Sequence, residues 1–154
     1  MSNKADAADV VMEARRWVGT PFKHRGCTIG RACDCVGLIR GISEGLGLAF
    51  VPMDLQREFD TYARTPNPRR MGALLETLLI PTTIDPRAHV DDAFVAWIEW
   101  RPGLPMHLAL TATFQERPTL IHAAQLVGKV VEHGFTQEWR NRVSSFWKLP
   151  NVSY

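Results

Sequence analysis

The chain has 154 residues, 45 % of them hydrophobic and 22 % charged, with a formal net charge of +2. That is enough chain to bury a core, and it reads throughout (1–154) as one globular domain. The slight charge excess argues against nucleic-acid binding, no apolar run approaches the ~20 residues that span a bilayer, and three cysteines cannot form a fully paired disulfide scaffold.

The N-terminal stretch MSNKADAADVVMEARRW lacks the apolar segment of a signal peptide, which predicts synthesis in the cytoplasm. Residues 6–18 read as an amphipathic helix, with Val10, Ala14, Trp17 and Val18 on one face. Gly19-Thr20-Pro21 stops it. Residues 22–33 form a polar, glycine-rich loop. A second helix is predicted from Cys35 to Leu46, with Leu38, Ile39 and Ile42 along its apolar stripe and Asp34 as its N-cap. RTPNPRR (64–70) reads as an exposed loop, MGALLETLLI (71–80) as a short helix and PTTIDPR (81–87) as a loop. The rest is sheet. AFVAWIEW (93–100) is a buried strand and RPGLP (101–105) a turn. MHLALTATF (106–114) is a strand on which His107, Ala109 and Thr111 alternate with Leu108 and Leu110. TLIHAA (119–124) and KVVEH (129–133) form a hairpin around Gln125–Gly128, and SSFWKLP (144–150) is a last strand. Helices first and strands later indicate an α+β fold.

All three cysteines fall within nine positions, in GCTIGRACDCVGLIRG (26–41). With His24 they make four potential zinc ligands, but structural zinc uses Cys-x(2–4)-Cys hooks, and Cys-x-Cys running into a helix fits poorly. A redox pair would use Cys-x-x-Cys. Cys27 and Cys33 are therefore read as ordinary small residues. Cys35 differs. In the first turn of a helix, unpaired N–H groups and the helix dipole favour an anion and are expected to lower its thiol pKa. Gly37 and Gly41 on the same helix allow another element or a substrate backbone to come close.

A thiol nucleophile needs a base and a group to orient the base. His107 and His122 lie on strands that can neighbour one another and face one side, which suggests a Cys–His–His arrangement; each histidine alone would be an ordinary surface or core residue. His24, His89 and His133 read as solvent-facing, though the loop carrying His24 leads into Cys35. Trp97, Trp100, Trp139 and Trp147 could line a sugar-binding groove, but packing is the default reading. The Arg64, Arg69, Arg70 cluster reads as a solvated loop.

The series RRWVGTPFKHRG, CDCVGLIRG, PMHLAL and LIHA resembles the NlpC/p60 superfamily of papain-like cysteine peptidases, over residues 10–149. CDCVGL and the stretch LIHAAQLVGKVVEHGFTQEWRNRVSSFWKLP are similar to one branch, the short cell-wall peptidases encoded with phage tails and gene transfer agents. The resemblance implies a papain-like fold with N-terminal helices packed on a central antiparallel β-sheet. It implies Cys35 as nucleophile, His107 as general base and acid, and His122 as its orienter, with the Cys35 amide contributing to an oxyanion hole. Asp34 would cap the helix and help bind the substrate's free amine, with Phe22 and His24 on the substrate side. Three positions depart from the family pattern: Phe22 stands where a tyrosine is usual, Val36 where a serine is usual, and Asp91-Asp92 where Gly-Asp is usual.

The activity implied is hydrolysis of peptidoglycan stem peptides at the amide between γ-D-glutamate and the diamino acid. It needs no metal and no cofactor. Tail proteins are the expected partners, and the periplasm or cell wall the site of action, reached on a particle. Two other readings stay open: a structural tail component with little hydrolysis, and a related Cys–His acyltransferase or amidase.

Overall fold

The computed structural model describes residues 5–48 and 67–154. Strand β1 (Ala5–Asp6) leads into helix α1 (Ala7–Arg16). Asp6 and Asp9 form a reciprocal capping box that satisfies amides at the helix start. Val10, Ala14 and Trp17 are buried as expected; Val11 joins them, while Val18 lies past the helix end and is exposed. Gly19, at φ +91°, turns the chain out of the helix.

Strands β2 (Cys27–Thr28) and β3 (Ala32–Cys33) make a short antiparallel pair before α2 (Cys35–Gly45). Helix α3 (Pro68–Leu78) starts three residues before the predicted 71. Asn67 caps it, accepting from the Arg69 and Arg70 amides, and Pro68 occupies the first turn, where its missing N–H costs nothing. RTPNPRR is therefore partly a helix start, with Arg69 and Arg70 exposed on its first turn; Arg64 lies outside the described residues.

The sheet comprises β4 (Ile80–Pro81), β5 (Val95–Arg101), β6 (Leu104–Phe114), β7 (Arg117–Ala124), β8 (Lys129–Gly134) and β9 (Val143–Lys148), with a helical turn α4 (Gln137–Arg140) before β9. The order is β4-β9-β5-β6-β7-β8 and every pairing is antiparallel. The predicted turn at 101–105 is tighter than expected, because Arg101 and Leu104 already pair across Pro102-Gly103. Strand β10 (Val152–Ser153) runs parallel to β1.

Side-chain alternation gives the sheet two apolar faces. Leu108, Leu110, Ala112, Ile121, Ala123 and Val130 pack under α1, α2 and α3 with Val10, Leu38, Ile42 and Leu75. Ala96, Ile98, Ala109, Leu120, Phe135 and Phe146 form a second core on the opposite face. Arg15 of α1 clamps the helix layer to the sheet through a two-pronged contact with Glu132, at 3.0 Å for each prong, and Glu132 also accepts from Thr119 at 2.7 Å. Among the described residues no helix is long and apolar enough to cross a membrane.

Candidate active site

Backbone and small residues set the position of Cys35. The buried Asp34 carboxylate caps α2, one oxygen accepting from the Gly37 amide at 2.8 Å and the other from the Arg25 amide at 2.7 Å. Arg25 holds a left-handed φ of 64° to deliver that N–H. His24 Nδ1 lies 3.9 Å from the same carboxylate. The loop presses against the helix so closely that a Cβ on Gly37 would sit 1.8 Å from the Gly26 carbonyl oxygen, and one on Gly41 would sit 2.3 Å from the Trp17 ring. The close approach expected at these glycines is thus made by the protein's own loop and by α1. Phe22 is half-buried beside Cys33, forming an isolated bridge with it, and its amide donates to the Gly128 carbonyl at 2.8 Å.

The three thiols are free and have different surroundings. Cys33 is fully buried and donates to the Asp34 carbonyl, whereas Cys27 is half-buried and donates to the Gly37 carbonyl, each at 3.2 Å. Cys27 and Cys33 are direct partners across β2 and β3. Among the described residues no three His, Cys, Asp or Glu side chains converge to hold a metal ion.

The Cys35 thiol differs from expectation in its ionisation. Burial, reinforced by the Asp34 charge, pushes it up to about 12, although the backbone N–H groups of Leu108, Val36 and Cys35 itself favour the anion. The amides of the helix start act in the expected direction, and desolvation outweighs them. At neutral pH the group is therefore a thiol.

A buried pair of histidines lies on strands β6 and β7. The β6–β7 ladder stops at Leu110–Ile121, before β6 reaches Leu108 and His107. The Leu108 N–H is one of the backbone groups that favour the Cys35 anion. The next residue, His107, is buried and places its Nε2 2.8 Å from Nδ1 of His122, also buried. The two imidazoles stand edge to face, 4.9 Å between centroids. Both occupy the sheet face away from α1 and α2, since their strand neighbours Leu108, Ile121 and Ala123 belong to the helix-side core. With Nε2 engaged, Nδ1 is the His107 nitrogen left for a thiol or a substrate. Burial first, then the charges of Arg142 and His133, lowers His107 to about 4. Burial first, then His107, His133 and Arg142, lowers His122 to about 2. Both rings are neutral at neutral pH, as a general base requires.

Several neighbours went unread in the sequence. His133, expected to face solvent, places Nε2 2.7 Å from His122 Nε2 and Nδ1 2.9 Å from the Gly134 carbonyl. The signal was the hairpin register: His122 pairs with Val131, so His133 is its diagonal neighbour on the same face. Trp139 of α4 packs edge-on against His122 and tilted against His133, with centroids at 5.1 and 5.0 Å. Trp100 lies 6.2 Å from the His107 ring and is 38 % exposed, so it is open to a ligand. Trp97 and Trp147 pack in the helix-side core. Arg142 stacks over Trp139 at 4.6 Å and donates to the Glu99 carbonyl at 3.1 Å, which holds its charge beside the histidines. His89 is exposed.

Three solved structures share this architecture. One, a lipoprotein-like protein of the NLP/P60 family from Staphylococcus aureus, is 14 % identical with a TM-score of 0.56; the match covers 93 % of this chain and 41 % of that one. This chain thus spans less than half of that protein. The second is the NlpC/p60 domain of the peptidoglycan hydrolase SagA, 20 % identical, TM-score 0.52, covering 94 % of this chain and 98 % of that one. The third is an N-acetylmuramoyl-L-alanine amidase from Bacteroides uniformis, 13 % identical, TM-score 0.54, covering 92 % and 96 %. The fold is that of the NlpC/p60 domains. It is α+β and papain-like, with helices on a central antiparallel sheet, as the motif order implied. No family model matches the sequence, and no curated protein matches it.

Proposed function

We propose that this chain is a cysteine peptidase that hydrolyses peptidoglycan stem peptides at the amide between γ-D-glutamate and the diamino acid. The observation that carries the reading is the buried His107–His122 pair, 2.8 Å apart on neighbouring strands β6 and β7, beside Leu108, whose backbone N–H favours the Cys35 anion. Its setting in a fold shared with peptidoglycan hydrolases supports the substrate class.

In the reaction, His107 Nδ1 takes the Cys35 proton as sulfur attacks the γ-carbonyl carbon. The Cys35 N–H stabilises the oxyanion. The C–N bond then breaks, the leaving amine takes the proton from His107, and a thioester remains on Cys35. His107 next deprotonates a water, which hydrolyses the thioester and regenerates the thiol. Asp34, with both oxygens already accepting backbone amides, acts first as the cap of α2; its remaining charge, with Phe22 and His24 nearby, faces the substrate amine. The chain works in the periplasm or wall, delivered by a phage tail or gene transfer agent whose tail proteins are its partners. This part of the reading rests on the sequence resemblance, and a pull-down of tail proteins tests it.

The reaction is tested by incubating purified stem tetrapeptide with wild-type protein and with Cys35→Ala, both metal-free, and following products by mass spectrometry. Release of L-Ala-γ-D-Glu by wild type, reduced at least about 10⁴-fold in the variant, is expected. Silence from both folded proteins would favour a structural role. A different product would favour an amidase or acyltransferase, and equal cleavage by both would exclude Cys35 as nucleophile.

A further inference from the structure

His107, His122 and His133 form a hydrogen-bonded row with a single direction, fixed at its far end. His107 Nε2 lies 2.8 Å from His122 Nδ1, His122 Nε2 lies 2.7 Å from His133 Nε2, and His133 Nδ1 lies 2.9 Å from the Gly134 carbonyl oxygen. A carbonyl can only accept, so His133 carries its proton on Nδ1. A neutral His133 then offers a bare Nε2, which accepts from His122 Nε2–H. His122 in turn offers a bare Nδ1, which accepts from His107 Nε2–H. His107 is left with its lone pair on Nδ1. The opposite direction would set a bare His133 Nδ1 against a carbonyl oxygen, lone pair to lone pair.

We propose that His133 is a positioning residue: anchored to the Gly134 carbonyl, it sets the tautomers of His122 and His107 so that His107 Nδ1 is the proton acceptor. The consequence for catalysis rests on the peptidase reading, whereas the tautomers follow from the hydrogen bonds alone. A second proton on His133 reverses the row. His133 Nε2 then donates, His122 must donate from Nδ1, and His107 keeps its proton on Nδ1, where it cannot take one from Cys35. The row is therefore also an acid-sensitive switch. The groups facing His133 are His122 from β7, His107 from β6, the uncharged Trp139 from α4, and Arg142 just before β9; the adjacent Glu132 points to the other face, toward Arg15.

The direct test is ¹⁵N NMR of the histidine-labelled chain at neutral pH without substrate. Protons are expected on Nε2 of His107 and His122 and on Nδ1 of His133; an Nδ1 proton on neutral His107 overturns the proposal whether or not any substrate is cleaved. The kinetic test uses two variants. His133→Gln keeps an acceptor near the Nε2 position and cannot be protonated. It is expected to keep kcat within about threefold of wild type, while the acid limb of its pH–rate profile moves to lower pH. His133→Leu removes the acceptor and is expected to lower kcat about tenfold with KM little changed. Equal kcat losses in both variants, or an unmoved acid limb in His133→Gln, would overturn the proposal. A wild type that cleaves nothing would defeat the peptidase reading and leave the NMR result to decide this one.

Discussion

Around Cys35 the positioning is done by main chain. The Asp34 cap holds two amides, the Gly26 carbonyl lies where a Gly37 side chain would be, and the N–H groups of Leu108, Val36 and Cys35 itself favour the thiolate. Around His107 it is done by side chains: imidazole to imidazole to imidazole, with Trp139 packed alongside and Arg142 stacked above. The first region is held by excluded volume and fails when an atom is added. The second is held by hydrogen-bond direction and fails when a proton moves.

The largest expected effect falls on the main-chain side. Gly37→Ala forces the Gly26 carbonyl away from α2 and should cost about 3 kcal/mol, with loss of the Asp34 cap geometry. Urea denaturation at neutral pH measures it; a cost below about 1 kcal/mol would mean that the loop moves aside freely and that Cys35 is not fixed by it.

The side-chain region should respond to pH instead. Folded His107 and His122 titrate at about 4 and about 2, below the usual 6.5 of the unfolded chain. Below about pH 6.5 the unfolded state binds protons that the folded state refuses. Stability is therefore full above that pH and falls as the pH drops through 6.5 toward 4. Between pH 7 and 5 the two rings together should cost on the order of 2–4 kcal/mol, read from paired denaturation curves. A flat stability over that interval would show that the rings are not held neutral by burial.

The smallest effect concerns Arg142, whose charge adds to burial in holding both histidines neutral. Arg142→Met should raise both pKa values by about half a unit, read from an NMR titration of the His107 and His122 rings. A downward shift would contradict the assigned sign.

This division also explains what the sequence could convey. The helices, the hairpin and the two core faces follow from periodicity, and Asp34, Cys35 and Gly37 could be placed from capping and helix-start rules alone. His107 and His122 were legible because strand alternation puts them on one face. His133 was missed because a histidine at a strand end reads as exposed until the hairpin register is fixed. The raised Cys35 thiol was missed because burial is a tertiary property, and here it overrides the local helix-start effect. The α3 boundary was missed because Asn67-Pro68 was read as loop punctuation, although an N-cap followed by proline starts a helix equally well. The β6–β7 turn uses Gln115 and Glu116 at φ 50° and 64°, left-handed values that a sequence normally signals with asparagine or glycine.

The central claim is that Cys35 becomes covalently acylated. Stem peptide mixed with wild-type protein, quenched in acid during turnover and digested, should yield the Cys35-containing fragment carrying an L-Ala-γ-D-Glu acyl group as a thioester. Turnover with that fragment unmodified at every time point, or with the acyl group on Cys27 or Cys33, would contradict the account.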